Sequence, residues 1–262
     1  MSKTPKHNKA FGQHFLVDEG ILNAITKAIR EEEELCPVQN MIEIGPGDGA
    51  LTKHFIQQPN FSALEIDQRW YKRLVERYSE HQERIHLTDA LKKDLASDFI
   101  APMAIIGNFP YNISTQLVFK ILDNREHVPW VVGMFQKEVA HRLAAKHGSK
   151  IYGVTSVLSQ VFYNVEVLFD IPPEAFDPPP KVESSVLVMR RYRTEIPSCT
   201  YGQLRHVVKT AFGQRRKMLR NSLKSLDLSK YQYLLTKRPE QLDLQTFIDL
   251  ASLLREHNPK DK

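Results

Sequence analysis

Between residues 41 and 191 the chain alternates between two hydrophobic periods. Short apolar runs, "MIEIG" (41–45), "FSALEID" (61–67), "IHLTD" (85–89), "MAIIGNF" (103–109) and "WVVGMF" (130–135), read as strands. Amphipathic stretches between and after them read as helices: "DGALTKHFIQQ", "QRWYKRLVERYSE", "STQLVFKILD", "QKEVAHRLAAK" and "YGVTSVLSQVFY". Strands alternating with helices predict an α/β fold with right-handed crossovers and a mostly parallel sheet covered on both faces. "VEVLFDIP" and "SSVLVMRR" predict a closing strand pair. The loop between them, "IPPEAFDPPPKV" (171–182), holds five of the 15 prolines, so it is stiff and extended. Upstream, residues 15–35 carry helical spacing (Ile21, Ile25, Ala28, Ile29) and end in the acidic run "EEEE".

After Pro197 only the helical period remains. Leu204, Val207, Val208, Ala211 and Phe212 form a stripe at i, i+3, i+4, i+7 and i+8. An α/β domain over residues 1–190 followed by a small all-helical domain over 191–262 is therefore expected. Charge follows the same division. From Arg190 onward there are 16 Lys and Arg against 7 Asp and Glu, while the preceding residues carry 20 against 24. One reading is a solvated helical surface; the other is a polyanion-binding one, since clustered cations gain by displacing counterions from phosphates. Within this region "FGQRRKMLRNSLK" (212–224) predicts a helix with Arg216, Arg220 and Lys224 on one face, flanked by Arg215 and Lys217. Such a stripe would contact RNA phosphates without reading bases. The basic tail "SKTPKHNK" is a further candidate for the RNA footprint.

Composition narrows the remaining classes. No apolar run approaches the roughly 18 residues of a membrane span, and the N-terminus lacks the apolar core of a secretory signal, so a cytoplasmic protein is expected. Cys36 and Cys199 match no metal-ligand spacing and read as idle thiols; the ten His show none either, and no metal site is expected.

The first strand leads into "EIGPGDGA" (43–50), the setting in which glycine-rich turns bind nucleotides. Gly45 and Gly47 let the backbone pass close beneath a ligand. Glu65, at the end of the second strand, is placed to hold a ribose diol. With Ala50 in the last place the turn also fits a dinucleotide fingerprint. Glu43 suits an ammonium group better than a pyrophosphate, and Asp89 adds an acceptor for an adenine amino group. Both favour S-adenosyl-L-methionine, a nucleoside with a cationic tail. At the end of the fourth strand, "GNFPYN" (107–112) offers two uncharged acceptors, the Asn108 side chain and the Pro110 carbonyl. Two acceptors gripping the N–H bonds of an exocyclic amino group favour pyramidal nitrogen and free its lone pair for attack on a sulfonium methyl. Tyr111 would stack on the base, a contact worth about 1–3 kcal/mol.

These stretches, together with "FGQHFL" (11–16), "LEID", "GNFPYNIST" (107–115), "QKEVAHRL" (136–143), "AFDPPPKVESSV" (175–186) and "AFGQRRKMLRNSL" (211–223), resemble the ribosomal RNA adenine N6-dimethyltransferase family, most closely its bacterial small-subunit branch. The resemblance runs from near the start of the chain into the helical tail. It implies a Rossmann-like class I methyltransferase fold with a seven-stranded sheet. It also implies dimethylation of two adjacent adenosines in a hairpin loop near the 3′ end of small-subunit rRNA, with a role in small-subunit biogenesis. His14, Leu16, Gly45, Glu65, Asp89 and Asn108 would line the cofactor site, and Phe176 would sandwich the target adenine against Tyr111. On the residues alone Phe176 reads equally as a core anchor. The partner implied is small-subunit rRNA or the immature small subunit, and a monomer is the simplest expectation. Two positions depart from the family pattern: His14 stands where Asn is common, and Phe109 where Leu is frequent. A large-subunit rRNA dimethyltransferase, a ribosome-assembly factor and an NAD-dependent dehydrogenase are the competing readings. The last leaves "NFPY" and the basic segment unexplained.

Overall fold

Strands that are buried on both faces must be apolar nearly throughout, and four of the first five runs satisfy this. In a computed structural model that describes residues 13–224, 226 and 228–254 they form β2 (Asn40–Ile44), β3 (Phe61–Glu65), β4 (Ile85–Leu87), β5 (Met103–Asn108) and β6 (Trp130–Gln136). With β7 (Tyr163–Ile171) and β9 (Ser184–Arg191) they make one sheet in the order β4-β3-β2-β5-β6-β9-β7. The pairs β2–β3, β3–β4, β2–β5 and β5–β6 are parallel, and β6–β9 is antiparallel. The strand order reverses between β2 and β5, so a crevice opens outside their carboxyl ends, at Ile44 and Asn108. β1 (Phe15–Leu16) and β8 (Phe176–Asp177) form a separate antiparallel ribbon.

The helices cover the sheet because their apolar stripes match it. α1 (Glu19–Leu35) starts where Asp18 accepts from the Ile21 N–H at 2.9 Å, and it buries Leu22, Ile25 and Ile29. Its buried Glu32 is held by a two-pronged bond from Arg190. α2 (Gln68–Arg77), a short α3 (Leu95–Asp98), α4 (Ser114–Asp123) and α5 (Lys137–Leu143) follow.

The structure differs from the sequence expectation in four elements. The first helix begins at Glu19, because Phe15 and Leu16 pair with β8. "DGALTKHFIQQ" forms no α-helix. Gly45, Gly47 and Gly49 hold φ at 71°, 56° and 84°, outside the helical well, and Pro59 leaves little chain to wind before β3. Only a 3₁₀ turn, Thr52–His54, remains. α6 (Val154–Gln160) is shorter than "YGVTSVLSQVFY", since Tyr163 already opens β7. Finally, "FGQRRKMLRNSLK" is not one helix: α7 (Tyr201–Gly213) ends at its glycine, a turn follows, and Met218 is extended before α8 (Leu219–Ser222). Arg216, Arg220 and Lys224 therefore share no helix face.

The chain divides into two compact units: residues up to His141 with Val165–Arg191, and Arg142–Asn164 with residues from Tyr192 onward. A boundary after residue 190 thus misses one inserted segment. Residues 142–164 are tied to the rest of the second unit by Gly148, whose N–H donates to the Glu240 carbonyl at 2.6 Å. The Phe162 carbonyl, accepting from Tyr192 N–H at 3.0 Å, adds a second tie. In that unit α7 buries Leu204, Val207, Val208 and Ala211, while Phe212 stacks on Phe247 of α9 (Leu244–Ser252) and meets Tyr152 edge-on. In the first unit the core contains Met41, Phe61, Ile106, Trp130 and Val188, with Leu16 and Phe176 of the ribbon.

Candidate functional site

The crevice at the β2 and β5 ends gathers side chains from four strands into one cavity of about 80 Å³. β2 and its turn supply Glu43, Gly45 and Gly47; β3 supplies Glu65, with Ile66 just after it; β5 supplies Asn108, with Pro110 and Tyr111 just after it; β1 lays Leu16 across, with His14 just before it. Nine of the sequence-predicted site residues therefore line a single space.

Its electrostatics are acidic. Glu43 is buried with its Oε2 accepting from the Thr52 hydroxyl at 2.7 Å, and burial pushes its carboxyl up to about 8, with Asp48 and Glu65 adding to the rise. Glu65 is buried too; its oxygens accept from the Gly47 and Asp67 N–H groups at 2.9 and 2.8 Å, and burial raises its pKa. Burial likewise raises Asp48. Among the described residues no Lys or Arg lines the cavity. With two buried carboxyl groups and no α-helix starting at the glycine turn, the described part of the site suits a cation better than a pyrophosphate.

The N-terminal arm sets the opposite wall. Val17 N–H donates to the Ala175 carbonyl at 2.8 Å, extending the β1–β8 pairing. His14 Nδ1 lies 2.7 Å from the Pro178 carbonyl, which only accepts, so Nδ1 carries the proton. The His14 carbonyl in turn accepts from Asn108 Nδ2 at 2.8 Å. That bond fixes the amide: its nitrogen faces the arm, and Oδ1 is left as the acceptor. The Phe15 ring packs 4.7 Å from Trp70 and lies directly over Gly47, where a Cβ would sit 2.5 Å from Cε1. Glycine is required there for close approach as well as for its φ.

Tyr111 is held at two points. Its hydroxyl is 2.5 Å from the buried Ser184 Oγ, and its ring stacks on His14 with centroids 5.5 Å apart at 24°. Burial raises the phenol pKa, so it stays protonated. The Pro110 carbonyl accepts from Ile113 N–H at 3.1 Å, and Ser114 Oγ lies within reach of it and, closer, of the Tyr111 carbonyl. A hydroxyl has one proton; when it points to Tyr111, Pro110 keeps a free lone pair.

Other expected residues stand elsewhere. Asp89 is outside the cavity lining, and its Oδ1 caps Leu91 N–H at 3.0 Å. Phe176 is 2% exposed and packed in the core, the anchor position. Arg216, Lys217, Arg220 and Lys224 are exposed in the second unit, and Arg215 donates to the Lys150 carbonyl. The tail "SKTPKHNK" and the first two residues of "FGQHFL" lie outside the described residues. Three contributors went unremarked in the sequence: Ile66, 49% exposed on the cavity wall directly after Glu65; Phe15; and Ser184. The "QKEVAHRL" and "KVESSV" stretches meet around Asp170. Ser185, His141 and Lys137 all bond its carboxylate, holding it well below the usual range, and Lys137 also pairs with Glu183. Phe109 has a specific seat: its buried ring lies over Gly133, where a Cβ would come within 2.0 Å, and meets Phe135 edge-on at 4.9 Å.

The sequence model described as Ribosomal RNA adenine dimethylase matches residues 4–255. The chain is 44% identical over 255 residues to Ribosomal RNA small subunit methyltransferase A of Cytophaga hutchinsonii, covering 95% of this chain and 97% of that protein. It is 46% identical over 251 residues to the protein of the same name from Flavobacterium johnsoniae, covering 94% and 95%. Among solved structures it is similar to a dimethyladenosine transferase from Plasmodium falciparum, with TM-score 0.75 and 24% identity over 90% of this chain and 96% of that one. The 23S rRNA methyltransferase ErmE gives TM-score 0.68 and 22% identity over 91% and 99%. These two share the fold, a class I methyltransferase sheet that is parallel except at its far edge. Acidic crevice, fixed Asn108 amide and the full-length match together place the chain in the ribosomal RNA adenine dimethylase family.

Proposed function

We propose that this protein transfers methyl groups from S-adenosyl-L-methionine to N6 of two adjacent adenosines in a hairpin loop near the 3′ end of small-subunit rRNA. The observation that carries this reading is the Asn108 amide on the cavity wall, whose nitrogen donates to the His14 carbonyl and so leaves Oδ1 as the acceptor. The residues suit the donor chemically. Glu43 and Glu65, both raised by burial, gain by meeting a cationic or hydroxyl-rich ligand, and Ile66 gives an apolar face for a purine. When bound, S-adenosyl-L-methionine supplies an electrophilic methyl carbon, which the N6 lone pair attacks as the sulfur–carbon bond breaks.

The chain's own part is orientation and hydrogen bonding. Asn108 Oδ1 and the Pro110 carbonyl accept from N6, keeping its lone pair out of the ring. Tyr111, clamped by Ser184, presents a flat face to a base splayed from a loop. The N6 proton leaves after the nitrogen gains positive charge, so no strong base is required. Phe176 reaches the base only if the β1–β8 ribbon shifts, since it is buried and paired with Leu16. The same shift would lift Phe15 from Gly47 and enlarge a cavity now well below the roughly 300–1,000 Å³ of ligand pockets. Asp89 would serve the adenine edge after leaving its cap. The first unit supplies the catalytic site and the basic segment 215–224 holds RNA phosphates. The protein acts as a cytoplasmic monomer on the immature small subunit.

Transfer of labelled methyl to unmethylated small subunits, followed by nucleoside analysis, tests this. N6,N6-dimethyladenosine in the small-subunit RNA is the expected product. Label only in large-subunit RNA would transfer the reading to the other branch, and no label in either would end it.

A further inference from the structure

The polar cluster around Asp170 lies outside the crevice lining, and all of it belongs to the first unit. Asp170 Oδ1 accepts from the Ser185 hydroxyl at 2.6 Å and lies 2.9 Å from His141 Nε2. Its Oδ2 is 2.9 Å from the Lys137 ammonium, which also reaches Glu183 Oε2 at 2.8 Å. One carboxylate thus joins α5, β7 and β9. The cluster is not a hydrolytic site. Ser185 is fully buried and gives its proton to Asp170, and His141 bonds that same carboxylate, so no nucleophile–base pair exists.

Position along β9 links the cluster to the crevice. Glu183 and Ser185 flank Ser184, the first residue of β9, which pairs with Gln136, the last residue of β6. A ladder is least constrained at its end, and here the chain enters from the proline-rich loop. Both neighbours of Ser184 are tied at this point. Glu183 accepts from Lys137 twice, its carbonyl from the N–H at 2.9 Å and its carboxylate from the ammonium. Ser185 is held by Asp170. Successive strand residues face opposite sides of the sheet. While Ser185 meets Asp170 on one side, the buried Ser184 hydroxyl meets the Tyr111 hydroxyl on the other, at 2.5 Å. We propose that Asp170 and Lys137 are positioning residues for the target adenine: they fix the start of β9, Ser184 fixes the Tyr111 hydroxyl, and the ring lies where the base must stack. Neither residue lines the crevice. The inference rests on the reading of Tyr111 as the platform for that base.

The test uses the full chain with two independent readouts. One is single-turnover methyl transfer to unmethylated small subunits. The other is the ring resonances of isotope-labelled tyrosine, with Tyr111 assigned among the nine tyrosines by its loss in Tyr111→Phe. Asp170→Asn and Lys137→Met should each slow transfer about tenfold, as a displaced stacking surface would, with RNA and cofactor affinities within a few-fold of the parent's. Lys137→Arg, which can keep both ion pairs, should restore most of the rate. Tyr111→Phe has no hydroxyl to hold, so adding Asp170→Asn to it should slow transfer by less than about twofold more. Lys137→Met carries the same cycle if Asp170→Asn fails to fold. Asp170→Asn and Ser184→Ala should both move the Tyr111 resonance. Losses that multiply in the double variant, or a Tyr111 resonance unmoved by Asp170→Asn, would overturn the inference and leave the cluster a brace of the fold alone. Should the parent methylate nothing, the resonance still decides whether Asp170 holds Tyr111, and the reaction assignment alone falls.

Discussion

Glu43 is pulled two ways by its surroundings. Burial pushes its carboxyl up to about 8, against the lowering bond from Thr52. In the unfolded chain it ionises near 4.3. Above that pH the unfolded state sheds a proton that the folded, ligand-free state keeps, so stability falls as pH rises from about 4.5 to 8, by at most about 1.4 kcal/mol per pH unit. Glu43→Gln removes this cost, and thermal melts of the ligand-free variant should exceed the parent's by a margin that grows from pH 5 to 8. A cationic ligand reverses the balance, because it favours ionised Glu43 and expels the proton. Calorimetric affinity for S-adenosyl-L-methionine should therefore rise with pH up to about 8 in the parent and be weaker and flatter in Glu43→Gln. A parent affinity that falls over that range would contradict the assignment. At the same scale, Gly133 and Phe109 are a matched pair. Gly133→Ala should cost about 1–3 kcal/mol by overpacking. Combined with Phe109→Leu the loss should be smaller than the sum of the two single losses, measured by denaturant unfolding.

The strands and most helices were legible from periodicity, because strands buried on both faces leave long apolar runs. The elements that escaped were those set by partners distant in sequence. Nothing local in "HFL" shows that Phe15 and Leu16 pair with residues more than 150 positions later, so the segment read as part of a helix. Residues 48–58 carry helical composition, and three glycines at positive φ override it. The ribbon formed by β1 and β8 is the element on which the site's access depends, since Phe15 covers Gly47 and the His14 carbonyl orients Asn108. Phe15→Ala should accelerate cofactor association several-fold in stopped-flow binding. Hydrogen exchange at Val17, whose N–H bonds Ala175, should change when the cofactor binds. An unaltered association rate together with unaltered exchange would mean that the ribbon stays in place.

Across the whole molecule, composition and charge showed that a basic helical region follows an α/β one, but not where the compact units divide. The segment 142–164 reads as another α/β crossover, and its membership of the second unit depends on Gly148 and Phe162 finding partners there. Seven cavity residues were identifiable from their positions at strand ends, where a parallel sheet must place its ligands, and His14 and Leu16 only from the family resemblance. What sequence does not encode locally is which amide atom faces which group. For Asn108 that depends on a backbone carbonyl 94 positions away. The most direct measurement is single-turnover methyl transfer to unmethylated small subunits by Asn108→Ala, with affinities for RNA and S-adenosyl-L-methionine measured on the same protein. A rate about 10²–10³-fold lower, with both affinities within a few-fold of the parent, is the result expected if Asn108 Oδ1 acts on the transition state. A rate loss no larger than the loss of RNA or cofactor affinity would contradict it.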